Sequence, residues 1–147
     1  MKERVTVSVV GAGRALELHA FGYHRSNIPV RMKTVMARRP EQIQQAIDRY
    51  GFEKGTTSYD DILNDPEIDV VDICTPPYVH KEEIVEAMRA GKHVICEKPL
   101  VGYFGRLGDP EPIGEKVSKK VMFECLLKDL DDLREVMDET GKRFMYA

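Results

Sequence analysis

Basic residues are not in excess in this sequence, since 22 Lys and Arg stand against 25 Asp and Glu, a formal net charge of −3. No positive field exists to hold a polyphosphate backbone by counterion release, and Tyr23, Tyr50 and Tyr78 have no basic residues gathered beside them as a base-stacking surface requires. Nucleic acid is not an expected partner. Long apolar runs are missing too: none approaches the roughly 20 residues that span a bilayer, so no membrane partner is expected. The start Met-Lys-Glu-Arg-Val-Thr-Val lacks the apolar region of a secretory signal, which makes the expected location cytoplasmic. Cysteine is scarce and odd in number. Cys74, Cys96 and Cys125 have no metal-ligand spacing, and two sit in apolar runs where a thiol packs as a small hydrophobe, so neither a disulfide framework nor a zinc site is implied. Four scattered histidines, His19, His24, His80 and His93, suggest no metal centre.

What is present is an ordinary globular composition. The 147 residues, 42% hydrophobic and 32% charged with 11 Gly and 8 Pro, correspond to one domain and bury roughly 68–70% of the unfolded-chain surface at this size. Short β-branched runs alternate with longer stretches of helical spacing. Strands are expected at Val5–Val10, Met32–Ala37, Val70–Cys74, His93–Cys96 and Arg143–Ala147, with a weaker one near Thr56–Ser58. Helices are expected at Ala15–Arg25, Glu41–Tyr50, Tyr59–Leu63, Val79–Ala90 and Asp129–Thr140. Pro40 suits a first helical turn, while Gly51, Gly91 and Gly141 suit C-terminal caps. Regular alternation of this kind predicts an α/β fold, a doubly wound parallel sheet of Rossmann type with about six strands. The stretch 101–120 breaks the pattern with four Gly, two Pro and no helical period. It is expected to be an extended loop inserted after the fifth strand, one that either covers the crevice, docks a partner, or lies solvated on the surface.

The first strand runs into Gly11-Ala12-Gly13-Arg14-Ala15-Leu16. Gly11 permits a tight turn, and Gly13, lacking Cβ, lets a pyrophosphate approach the helix N-terminus, where unpaired N–H groups and the dipole favour an anion. Leu16 stands where the dinucleotide fingerprint has Gly or Ala, so a helix set farther from the strand, or tilted, is expected. About 20 residues on, where an acidic residue would take the ribose of NAD, the chain offers Arg38-Arg39, and a guanidinium suits the 2′-phosphate of NADP. NAD or NADP is therefore the expected cofactor, with NADP favoured. Later, Cys74-Thr75-Pro76-Pro77 ends one strand and Glu97-Lys98-Pro99 ends the next, both placing polar groups at the crevice. His80, just after the first of these turns, is placed on the crevice wall. His19 and His93 are assigned to packing, and the acids from Asp129 to Asp132 to a helix start.

With these motifs the chain resembles the N-terminal half of the Gfo/Idh/MocA family of sugar and polyol oxidoreductases. Gly11-Ala12-Gly13 followed by His19-Ala20, Asp69-Val70-Val71 leading to Thr75-Pro76 and His80, and Gly91-Lys92-His93-Val94 leading to Glu97-Lys98-Pro99-Leu100 carry the resemblance over residues 4–100. It resumes at about 128–147.

The resemblance implies roles. Gly11, Ala12, Gly13, Arg14, Ala15 and Leu16 would hold the pyrophosphate, Arg38 and Arg39 would meet the adenosine ribose, and Cys74, Thr75, Pro76 and Pro77 would line the nicotinamide half. Glu97 would contact the nicotinamide ribose. Lys98 would reach the substrate hydroxyl, where an ammonium can steady the developing alkoxide. The peptide before Pro99 is a candidate for the cis form. The implied activity is hydride transfer between a nicotinamide cofactor and a carbinol carbon of a sugar, inositol or related polyol, by a protein that is a homo-oligomer at full length. A second α/β domain, which in the family supplies much of the substrate pocket, has no counterpart in the 147 residues. A piece of a longer protein and a natural truncation are both open, and an end inside an expected strand favours the former; by itself this domain is expected to be inactive. The alternative is a non-catalytic module that senses a dinucleotide or serves as a scaffold. An S-adenosylmethionine-dependent transferase explains neither Thr75-Pro76 nor Glu97-Lys98-Pro99.

Overall fold

The computed structural model describes residues 4–147. Six strands, β1 Val5–Val10, β2 Val30–Met36, β3 Lys54–Thr56, β4 Val70–Ile73, β5 His93–Cys96 and β6 Phe144–Tyr146, form one sheet in the order β3-β2-β1-β4-β5-β6. Every pairing is parallel. The helices are α1 Arg14–Arg25, α2 Pro40–Tyr50, α3 Asp60–Leu63, α4 His80–Arg89, α5 Ile113–Lys116 and α6 Lys119–Thr140, with a 3₁₀ turn at Pro77–Val79 before α4.

A parallel sheet is covered on both faces, so its strands read as near-continuous apolar runs. Alternate residues feed two cores. On one face Val10, Val71, Ile73 and Val94 pack with Ile62 of α3, Ile84 and Met88 of α4 and Leu133 and Val136 of α6. On the other, Val7, Val9, Met32 and Val35 pack with Leu16 and Ala20 of α1 and Ile43 and Ala46 of α2. Leu16, unusual for the fingerprint, is 1% exposed; it is absorbed into this second core, where burying a Leu contributes about 1.5–3 kcal/mol.

The doubly wound fold stands as expected, and the punctuation holds: Pro40 is in the first turn of α2, and Gly51 and Gly141 end α2 and α6 in the left-handed conformation. Two expectations need correction. β2 and β3 both begin two residues earlier than the apolar runs suggest, because pairing to β1 and β2 extends them through Arg31 and Lys54. More substantially, α6 starts at Lys119 rather than Asp129. Its first half has no fully buried residue: Phe123 and Leu127 are exposed and Met122, Cys125 and Leu126 half-buried, so the apolar period that marks the second half is missing there.

The expected loop shrinks accordingly and is interrupted by α5. Most of its residues are exposed to solvent, Leu107 fully, but its first half is pinned to its surroundings. Tyr103 and the Arg106 backbone both donate to Asp109, Arg106 reaches Cys125 Sγ at 3.0 Å, and Phe104 packs edge-on against Tyr78, with ring centroids 6.4 Å apart. Lys81 of α4 donates to Asp129 and Asp132 of α6, joining the two helices that flank the loop. No helix among the described residues is long and apolar enough to cross a membrane.

Candidate functional site

The chain leaves β1 outward to β2 and β3 on one side and returns to β4, β5 and β6 on the other, so strand order reverses between β1 and β4. An open α/β sheet binds ligands beyond the carboxyl ends of its strands at such a point. The strand ends there are tied together: the Cys74 N–H donates to Val10 O at 2.8 Å, Gly11 to Met36 O at 2.8 Å and Glu97 to Ile73 O at 2.9 Å.

Two turns meet at this place. Gly11 has φ +101°, and a Cβ there would fall 2.6 Å from the Cys74 carbonyl oxygen, so only glycine allows the two turns to approach. Gly13 is different. Its φ is −92°, and a Cβ there would meet nothing within 4 Å, so the protein's own packing does not demand the missing side chain. Gly13 is also the N-cap of α1 and provides no side-chain cap hydrogen bond. The first-turn N–H groups of a twelve-residue helix are thus available to an anion, with the positive end of the dipole behind them.

Gly11, Ala12, Gly13, Arg38, Cys74, Thr75 and Pro76 line a single cavity of about 490 Å³. Arg14 and Leu16 border an adjacent groove between α1 and α2 that also runs past Ala12 and Gly13, and Ala15 packs partly into the second core. Arg39 is exposed at the N-cap of α2 and is not on the cavity wall. Pro77 starts the 3₁₀ turn and faces the groove beneath the 101–118 loop instead. The bare Gly13, the uncapped helix start and the adjoining Arg38 fit the pyrophosphate and adenosine end of a dinucleotide.

His80 is not on that wall, contrary to expectation. It is fully buried, with Nδ1 2.9 Å from the Pro99 carbonyl oxygen and Nε2 2.8 Å from that of Thr75, and so it bridges the two turns internally. Glu97 and Lys98 lie at the end of β5, next to the Cys74 turn. The Lys98 side chain is 73% exposed, its Nζ 3.5 Å from Glu97 Oε2, and its backbone N–H donates to the same oxygen at 2.9 Å. The Lys98–Pro99 peptide is cis.

Sequence reasoning missed two groups. Glu83, on the cavity wall, accepts the Thr75 hydroxyl at 2.5 Å, so Thr75 spends its donor inside the protein. Burial, helped by Glu86 and Glu82 and opposed by the Thr75 hydrogen bond, pushes the Glu83 carboxyl up to about 7. The second group centres on His19, assigned to packing but hydrogen-bonded on both sides. Nδ1 is 2.8 Å from Asp72 Oδ2, Nε2 is 3.2 Å from Glu97 Oε1, and Tyr23 donates to Asp72 at 2.5 Å. The Asp72 hydrogen bond, against the effect of burial, holds His19 above the ordinary histidine range, with Glu97 adding to the effect. Burial pushes Glu97 up, but the hydrogen bonds from His19 and the Lys98 N–H prevail and keep it below the ordinary range. His19, Asp72 and Cys74 offer atoms close enough to hold a metal ion, all within 4.8 Å. However, Asp72 is already satisfied by His19 and Tyr23, and burial, with the charges of Asp72 and Glu97, pushes the Cys74 thiol up, away from the thiolate a metal needs.

Fold and site together define a Rossmann domain with a dinucleotide-type turn. The sequence model of the Gfo/Idh/MocA family, an oxidoreductase family with an NAD-binding Rossmann fold, matches residues 5–110, and the chain belongs to this family. It is 38% identical over 106 residues to levoglucosan dehydrogenase of Pseudarthrobacter phenanthrenivorans, a match covering 67% of this chain and 27% of that enzyme. Among solved structures, a levoglucosan dehydrogenase in complex with NADH superposes with TM-score 0.63 at 35% identity, over 67% of this chain and 28% of the other. Scyllo-inositol dehydrogenase from Lactobacillus casei, with bound NAD(H) and scyllo-inositol, superposes with TM-score 0.75 at 21% identity, over 98% and 36%; this last likeness is one of fold. The chain spans little more than a quarter of the length of the first of these relatives.

Proposed function

We propose that the chain is the cofactor-binding half of an NAD(P)-dependent oxidoreductase acting on a carbinol carbon of a sugar, inositol or related polyol. The observation that carries this reading is Gly13, a bare and uncapped helix start opening on a cavity that also holds Arg38 and the Thr75-Pro76 turn. The cofactor would accept or donate the hydride. The chain's own part is to bind and orient: the first-turn N–H groups of α1 take the pyrophosphate, Arg38 takes the adenosine end, and Glu97 meets the nicotinamide ribose. NADP is favoured over NAD because β2 ends at Met36 and is followed by Ala37-Arg38, with no carboxylate to receive a 2′-hydroxyl. Lys98, 73% exposed and paired with Glu97 at 3.5 Å, can turn its ammonium to a substrate hydroxyl and steady the charge that develops on oxygen. Proteins similar to this one act on levoglucosan and bind scyllo-inositol, which supports a polyhydroxylated substrate. The remaining pocket residues, the subunit contacts of a homo-oligomer and a cytoplasmic location belong to the same proposal, and the three free cysteines suit a reducing compartment.

The test is nicotinamide reduction by the protein that carries this chain, over a panel of sugars and inositols. Turnover of at least one polyol, lost by about a hundredfold or more in Lys98→Ala with cofactor affinity retained, is the expected result. Binding of the dinucleotide with no turnover of any polyol would instead support the sensing module.

A further inference from the structure

His19 lies on α1 six residues beyond Gly13, outside every motif assigned to a ligand, yet it reaches two other elements. Its Nδ1 is 2.9 and 2.8 Å from the two Asp72 oxygens, and its Nε2 is 3.2 Å from Glu97 Oε1. Asp72 is fully buried in β4 and fixed a second time by the Tyr23 hydroxyl at 2.5 Å. A ring held on an immobile carboxylate has its other nitrogen aimed, and here it is aimed at Glu97. With Oε1 taken by His19, Oε2 is left for the Lys98 N–H at 2.9 Å and for the Lys98 ammonium at 3.5 Å. Both oxygens of a side chain with three rotatable bonds are thereby fixed, and the dinucleotide helix is tied to the loop after β5. The groups facing His19 are Asp72 from β4, Cys74 from the turn after it at 3.6 Å, and Glu97 from the loop after β5, with Tyr23 and Lys98 one contact farther out. A packing role would need no such polarity: two carboxylates flank one imidazole, and a ring protonated on both nitrogens satisfies both.

We propose that His19, oriented by Asp72, is a positioning residue that holds Glu97, and through it the Lys98 backbone, in place for the nicotinamide half of the dinucleotide. This rests on the reading of the chain as a dinucleotide-binding domain in which Glu97 meets the nicotinamide ribose.

The test compares wild type, His19→Ala, His19→Gln and Asp72→Asn in binding the preferred dinucleotide and in binding ADP, which keeps the adenosine end but lacks the nicotinamide ribose. His19→Ala and Asp72→Asn weaken the dinucleotide about tenfold, the scale of one charge-assisted hydrogen bond, while ADP stays within about twofold. His19→Gln recovers most of the loss, because its amide still donates to Glu97. Equal weakening of both ligands, or no weakening of either, overturns the proposal. If wild type binds neither ligand, the reading of function falls and the nicotinamide part of the proposal falls with it; nitrogen NMR of the imidazole then decides only whether His19 positions Glu97 and the Lys98 backbone. His19 protonated on both ring nitrogens near pH 7, with the Lys98 amide resonance displaced in Asp72→Asn, upholds it. A neutral ring, an unmoved Lys98 amide, or one equivalent of zinc in the purified protein overturns it.

Discussion

Thr75 donates its hydroxyl to Glu83 on the cavity wall at 2.5 Å, and the carboxyl of this pair makes stability depend on pH. Burial, with Glu86 and Glu82 nearby, places the Glu83 carboxyl at about 7 against an ordinary 4.5. A folded value above the unfolded one contributes stability that is full below about 4.5 and is lost as pH rises through about 7. The shift corresponds to on the order of 2–3 kcal/mol after discounting for partial exposure. Glu83→Gln, neutral at every pH and still an acceptor for Thr75, should match wild type near pH 4 and exceed it by about 2 kcal/mol near pH 8.5. Urea denaturation at the two pH values checks this, and parallel stability curves for the two proteins would refute it.

Gly11 and Gly13 should fail in opposite ways. Gly11→Ala brings a Cβ 2.6 Å from the Cys74 carbonyl oxygen at φ +101°, and a loss of about 2 kcal/mol or more of stability is expected. Gly13→Ala meets nothing within 4 Å, so stability should stay within about 1 kcal/mol, the scale of an N-cap change. Dinucleotide affinity in that variant should nevertheless fall at least about tenfold, because the methyl enters the space left for the pyrophosphate. Thermal unfolding beside cofactor titration separates the two; a Gly13→Ala protein that binds like wild type would show that the open space serves no ligand.

Arg38 shares the cavity with the Gly11 to Gly13 turn, whereas Arg39 does not. Arg38→Asp should lower NADP affinity by about tenfold or more and leave NAD affinity equal or improved, while Arg39→Ala should change either by less than about threefold. Parallel titrations decide the matter, and an unchanged ratio between the cofactors in Arg38→Asp would place the recognition elsewhere.

Leu16 is a core residue at a fingerprint position, 1% exposed among Val9, Ala20 and Ile43. Leu16→Ala should cost about 2–5 kcal/mol in denaturant unfolding, as other buried Leu truncations do. A loss below about 1 kcal/mol would mean that the helix closes onto the strand without it.

The strands were legible because apolar β-branched residues at strand length leave little choice: β1 and β5 have the bounds their side chains suggest. The turns at Gly11–Gly13 and Thr75–Pro76 were legible for a related reason, since each is a contiguous string whose chemistry lies within a few residues. The His19 network was not. Its members stand 53 and 78 residues apart, and only the placing of β4 between β1 and β5 brings Asp72 and Glu97 against one helix. Glu83 was hidden differently, because an acid in the first turn of a helix is explained by the dipole alone, and nothing local reveals that the half-buried Thr75 hydroxyl faces it. The start of α6 was missed because the apolar residues of 119–128, Val121 to Phe123 and Cys125 to Leu127, come in runs that go round the helix instead of recurring on one face.

Calorimetric titration of the chain with NADP and with NAD tests the central claim most directly. Saturable binding of one dinucleotide per chain, tighter for NADP and weakened at least about tenfold in Gly13→Ala, is the predicted result. A folded chain that binds neither would contradict the assignment of this cavity to a nicotinamide cofactor.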